Sequence, residues 1–118
     1  MGVRGIRGAT VVEADERELI LEATRELLEA LVQENDIAVE DIASLMFTMT
    51  PDLRSVYPAQ AARWLGWKHT PVLGATETDV PGGLPRCIRI LMHVNTDRAA
   101  ADIKHVYLHA AQTLYPEA

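Results

Sequence analysis

The chain has 118 residues, 48% of them hydrophobic and 24% charged, a composition that suits a folded globule and argues against disorder. Eleven basic against 17 acidic residues leave a net charge of −6 at pH 7. That balance argues against a general nucleic-acid binder, whose surface must displace counterions from phosphates. The single cysteine, Cys87, excludes an internal disulfide and a cysteine-built structural zinc site.

The length points to one domain spanning residues 1–118. No apolar run approaches the roughly 20 residues that cross a bilayer, so no membrane association is expected. The first residues lack the apolar stretch of a signal peptide, and the expected location is cytoplasmic.

Val3 to Val12, rich in Val, Ile, Thr and Gly, reads as a strand. Asp15 and Glu18 form an approximate capping box. From Glu18 to Glu34 the apolar residues Ile20, Ala23, Leu27, Leu28 and Leu31 recur at helical spacing, which predicts an amphipathic helix laid on a core and ended by Asn35-Asp36. Ser44 to Thr50 predicts a second strand with Leu45, Phe47 and Met49 on one face. Thr50-Pro51-Asp52 breaks it. Pro58 suits the first turn of a helix reaching about Leu65 and stopped by Gly66. Pro71 to Thr76 predicts a third strand, and Val80 to Pro85, dense in Pro and Gly, predicts a loop.

Arg86 to Asn95 is the most informative strand. Ile88, Ile90, Met92 and Val94 form one apolar face, so Arg89 points to the other, beside Cys87 and Leu91. Ala99 to Lys104 reads as a short helix and Val106 to Ala110 as a last strand or extended edge. The order predicts an α+β fold, a mixed α/β sheet with helices packed on one face. The other face needs a cover, and in so small a chain another subunit is a natural one.

Few residues suggest chemistry of their own. Cys87 lies inside a strand and reads as a small apolar side chain. His105 and His109 are four apart but in extended sequence, so no metal site is expected. There is no nucleotide-binding glycine fingerprint and no nucleophile elbow. What remains is arginine, always charged and shaped to fit carboxylates. Arg4, Arg54 and Arg86 read as solvated. Arg7 and Arg89 sit mid-strand among apolar neighbours, where the choice between a solvated side chain and a cation lining a cavity stays open. Taken alone, Glu77 reads as a surface acid and Tyr107 as packing.

Four segments in register carry a resemblance: Arg4-Gly5-Ile6-Arg7-Gly8-Ala9-Thr10, Thr50-Pro51-Asp52-Leu53, Asp79 through Arg89, and His105-Val106-Tyr107-Leu108. Over about residues 3 to 116 the chain resembles the monofunctional chorismate mutases of the small bacterial trimeric type. The resemblance implies a pseudo-α/β-barrel homotrimer with active sites lined by two neighbouring subunits. It implies the Claisen rearrangement of chorismate to prephenate, a unimolecular step that needs no cofactor and no metal. By position, Arg89 would contact the ether oxygen and a carboxylate, Arg7 would bind a carboxylate that Tyr107 also meets, and Glu77 would accept from the ring hydroxyl. Arg63 would lie near the mouth, with Tyr57 and Leu114 helping to close the pocket. Three positions depart from the family pattern. Gly74 stands where some members carry a cysteine, Gln60 where relatives have a lysine, and Tyr115 where a tail arginine is common; for the altered tail a raised KM, more than a lost kcat, is the expected consequence. The rival expectation is a non-catalytic trimer that binds a small carboxylate in the same cleft. Another is an enamine/imine deaminase, on likeness of fold alone. Plain anion capture has no need of Glu77, which favours the mutase.

Overall fold

The computed structural model describes residues 2–114. Its elements are β1 (Gly2–Val11), α1 (Arg17–Asn35), β2 (Ile42–Met49), α2 (Gln60–Trp64), β3 (Val72–Thr76), β4 (Cys87–Thr96) and β5 (Val106–Tyr107). Short 3₁₀ turns lie at Val39–Asp41, Ala100–Asp102 and His109–Leu114. The strands form one sheet in the order β3-β2-β4-β1-β5. β4 runs antiparallel to β1 and β2, whereas β3 and β5 lie parallel to their neighbours. The expected α+β fold with a mixed sheet is what the chain adopts.

Alternation along β4 sets the two faces of the sheet. Ile88, Ile90, Met92 and Val94 are each at most 2% exposed and form the core face. Ile6 of β1 and Leu45 and Phe47 of β2 continue that face, and the buried leucines 21, 27, 28 and 31 of α1 pack in the same core. Ala61 and Ala62 of α2 join the same cluster. Gly8 permits the close seating of α1 on β1, since a Cβ there would sit 3.1 Å from both Leu27 and Leu31. Among the described residues no helix is long and apolar enough to cross a membrane.

The ends of α1 tie distant segments together. Asp36 turns left-handed at φ 51, and Ile37 N–H donates to the Val32 carbonyl at 3.0 Å, closing a Schellman motif. Buried Asn35 donates to the carbonyls of Leu31 at 3.0 Å and Lys104 at 2.9 Å, and accepts the Lys104 N–H at 2.8 Å. The segment entering β5 is thereby clamped to the helix end. The expected capping box is not formed: α1 starts after Glu16 with no side-chain cap. Asp15 instead accepts the backbone N–H groups of Arg54 at 2.8 Å and Ser55 at 3.0 Å, so its carboxylate latches a later loop. Those bonds hold the Asp15 carboxyl below its ordinary pKa, with the Arg54 N–H the largest cause.

The Thr50-Pro51-Asp52 break also anchors the start of β4. Asp52 accepts the Arg86 N–H at 3.0 Å, and Thr50 Oγ1 accepts the Cys87 N–H at 2.9 Å. At the C-terminal end, Ala99 to Lys104 shortens to one 3₁₀ turn, and the last strand stops at Tyr107. His109, left-handed at φ 54, starts the 3₁₀ turn that replaces the expected extension of that strand.

Candidate active site

The face opposite the core carries Arg7 and Ala9 of β1, Met46 and Thr48 of β2, and Arg89 and Leu91 of β4. In the β1/β4 ladder Arg7 faces Leu91 and Ala9 faces Arg89, so the two arginines are diagonal neighbours on one face. β5 adds Tyr107 beside Ala9. Beyond β3, the Glu77 N–H donates to the Met49 carbonyl at 2.7 Å, extending the ladder far enough to carry its carboxylate over the sheet. Arg7, Glu77, Arg89 and Tyr107 thus line one hollow of about 330 Å³. Glu77 and Arg89 also border an adjoining hollow of about 530 Å³ walled by Asp52 and the loop from Asp79 to Pro85.

Charge is concentrated here. Arg89 Nε lies 2.6 Å from Glu77 Oε1, with the two side chains 38% and 21% exposed. This partial shielding keeps the pair stronger than a solvated surface bridge without isolating either charge. With Arg7 the hollow holds two guanidinium groups, one carboxylate and one phenol, a net cationic lining that suits a small dianion. Cys87 borders the larger hollow, but burial raises its pKa more than nearby Arg89 lowers it. It is a thiol at neutral pH and a poor nucleophile. Among the described residues no group of three or more His, Cys, Asp or Glu could hold a metal.

One contact at the edge of the hollow was not expected. The Arg7 N–H donates to His105 Nδ1 at 3.0 Å, so the ring is neutral there, with its proton on Nε2. Burial first, and the Arg7 charge second, hold His105 below its ordinary pKa of 6.5. The unfolded chain therefore takes up this proton first as pH falls. The stabilising contribution is complete above pH 6.5 and is lost as pH drops from there through the depressed native value. His105→Asn keeps an acceptor that does not titrate. Urea midpoints measured from pH 7.5 to 5 are expected to fall more steeply in the wild type than in this variant; parallel curves would refute the assignment.

The remaining residues named from sequence lie elsewhere on the chain. Tyr57, 75% exposed, and Gly74 line a separate hollow of about 220 Å³ with Phe47 and Val72. Arg63 donates to the carbonyls of Trp67 and Thr70, bracing the turn between α2 and β3. Gln60 accepts from Arg17 at 3.3 Å. Leu114, half-buried, ends the last 3₁₀ turn, and Tyr115 lies outside the described residues. The sequence reading missed Met46 and Thr48 as lining residues. Alternation along β2 put them opposite Phe47, but only pairing with β4 sets them beside Arg89.

Comparison with known proteins agrees over the full length. The family described as Chorismate mutase type I matches residues 3–118. Chorismate mutase AroH of Bacillus subtilis (strain 168) is 48% identical over 118 residues, spanning 99% of this chain and 93% of the relative. Chorismate mutase AroH of Thermus thermophilus is 49% identical over 116 residues, spanning 98% and 95%. The solved chorismate mutase from Clostridium thermocellum superposes with a TM-score of 0.93 at 46% identity, over 94% of this chain and 99% of that one.

Proposed function

The chain belongs to the chorismate mutase type I family, and we propose that its chorismate mutase activity, the Claisen rearrangement of chorismate to prephenate in phenylalanine and tyrosine biosynthesis, is carried by the arginine-lined hollow. The observation behind this reading is the meeting of Arg7, Glu77, Arg89 and Tyr107 on one sheet face. A cytoplasmic location belongs to the same reading.

Chorismate carries two carboxylates and an allyl vinyl ether, and its rearrangement is intramolecular. The protein has two tasks: to hold the folded conformer in which the reacting carbons meet, and to stabilise charge on the ether oxygen as the C–O bond breaks ahead of C–C formation. Arg7 grips a carboxylate, with Tyr107 donating to the same group. Arg89 faces the ether oxygen. Glu77 accepts from the ring hydroxyl and offsets positive charge on the carbon skeleton. Two unit charges about 4 Å apart attract by roughly 4 kcal/mol at an effective dielectric near 20. A millionfold acceleration needs about 8 kcal/mol. Arg89 therefore supplies about half of such an effect, and selection of the conformer supplies a similar share. Purified protein is expected to remove the diene absorbance of chorismate with formation of prephenate. Turnover no faster than the uncatalysed rate would leave only the carboxylate-binding reading, which the comparisons do not support.

The active assembly in this reading is a homotrimer with sites between subunits. Two features support it. Met46 and Leu73, paired neighbours on the open face, are 39% and 61% exposed, an apolar surface suited to burial against another copy. The Tyr57–Gly74 hollow is separate from the arginine hollow on the same chain, as expected if each faces a different neighbour. Arg63, Leu114 and Gln60 join at the closed mouth. Mixing Arg89→Ala subunits with Gly74→Trp subunits, each inactive alone, is expected to restore activity at about a quarter of the sites after random reassembly in a cyclic trimer. Arg7→Ala mixed with Arg89→Ala restores none, because both arginines belong to one half-site. Recovery with the second mixture and not the first would overturn this division.

A further inference from the structure

The hollow contains a buried hydroxyl to which the mechanism above gives no role. Thr48 lies on β2 directly opposite Arg89 of β4 and lines the same hollow as Arg7 and Glu77. Its Oγ1 is buried and has no hydrogen-bond partner among the described residues. Arg89 Nε is likewise buried without a hydrogen bond: it sits 2.6 Å from Glu77 Oε1, close enough for charge attraction, but the N–H is not aligned on that oxygen. Two unsatisfied polar atoms therefore belong to directly facing residues.

An unsatisfied buried hydroxyl costs folding free energy, and native proteins keep few of them. The two atoms are chemically complementary, since guanidinium N–H groups only donate and a threonine oxygen accepts. Facing residues in an antiparallel pair have Cβ atoms about 4.5–5.5 Å apart, within reach of such a bond. We propose that Thr48 is a positioning residue for Arg89: its Oγ1 accepts the Nε–H once substrate draws Glu77 toward the ring hydroxyl. The terminal N–H groups of Arg89 are then left to face the ether oxygen and carboxylate. The free enzyme keeps the guanidinium on Glu77, and the bound enzyme passes it to Thr48. The charged groups that line the hollow with this hydroxyl are Arg89 from β4, Arg7 from β1 and Glu77 beyond β3. This assignment rests on the chorismate mutase reading.

The tests begin with wild-type turnover of chorismate, whose absence would sink the functional reading itself. Thr48→Val preserves shape and removes the oxygen. It is expected to lower kcat about 10-fold with KM changed less than about threefold. Its melting temperature is expected to match or exceed the wild type, because an unsatisfied buried group has been removed. Thr48→Ser is expected to recover kcat to within about threefold of the wild type, since the serine oxygen also accepts. In the Arg89→Ala background Thr48→Val should cost nothing further, as a residue acting through Arg89 must. Unchanged kcat in Thr48→Val, loss of activity in step with loss of stability, failure of serine to rescue, or an undiminished effect without Arg89 would each overturn the proposal. A readout independent of turnover is the Arg89 Nε–H nuclear resonance, followed with prephenate or malonate. Wild type is expected to show slowed solvent exchange on binding, and Thr48→Val to lose it; equal behaviour of the two proteins would refute the contact.

Discussion

Arg89→Ala is expected to lower kcat by about 10²–10³-fold or more, equivalent to about 3–4 kcal/mol of transition-state stabilisation, with the fold intact. The side chain lies on the open face of β4, away from the buried row of Ile88 and Ile90, so truncation leaves the core untouched. Removing the guanidinium also strips Glu77 of its partner at 2.6 Å. An uncompensated carboxylate then faces a dianionic substrate, and KM is expected to rise as well. Arg89→Lys restores charge but not the planar fork, and recovers only part of the rate because one ammonium cannot meet two acceptors in fixed geometry. Steady-state kinetics with circular dichroism on each variant provide the check. A near-normal kcat for the alanine variant would refute the electrostatic role.

Phe47→Ala is expected to cost about 3–5 kcal/mol of stability, a large share of what a domain of this size possesses. Phe47 is fully buried in the core cluster. It pairs with Ile90 on β4 and with Gly74 on β3. Gly74 contributes no side chain to refill the space: even a Cβ there would come no nearer to β2 than 3.9 Å from the Phe47 carbonyl. The cavity therefore persists, and with it the cost. Phe47 also borders the Tyr57–Gly74 hollow, so the variant is expected to disturb that hollow before the arginine hollow. Urea unfolding measures the first effect. A shift in midpoint worth less than about 1 kcal/mol would mean that the core collapses around the gap.

The two residues illustrate different kinds of legibility. Burial of Phe47 followed from alternation with Leu45 and Met49, a pattern confined to one strand. The side on which Arg89 stands was legible in the same way, from Ile88 and Ile90. Its surroundings were not. Periodicity alone could not separate a solvated arginine from one lining a cavity, because the answer depends on which strands lie beside β4 and in what register. The functional expectation came from four motifs matched to a family. In the fold, parts of two of those motifs serve local structure: Thr50 and Asp52 pin the start of β4, and His105 accepts from the Arg7 backbone. The capping-box reading of Asp15 failed for a related reason. Its carboxylate found Arg54 and Ser55, 39 and 40 residues away, and no local pattern reports such a competitor.

By itself the sequence determined the α+β class, the element order, the buried stripe of α1 and the two faces of β2 and β4. These are local properties, because helical and strand periods decide burial within a few residues. Only the tertiary structure decided that Arg7, Thr48 and Arg89 are neighbours, that Glu77 reaches Arg89, and that Tyr57 and Gly74 open into a different hollow. Those juxtapositions depend on register between strands distant in the chain, where a slip of one residue would turn every side chain to the opposite face.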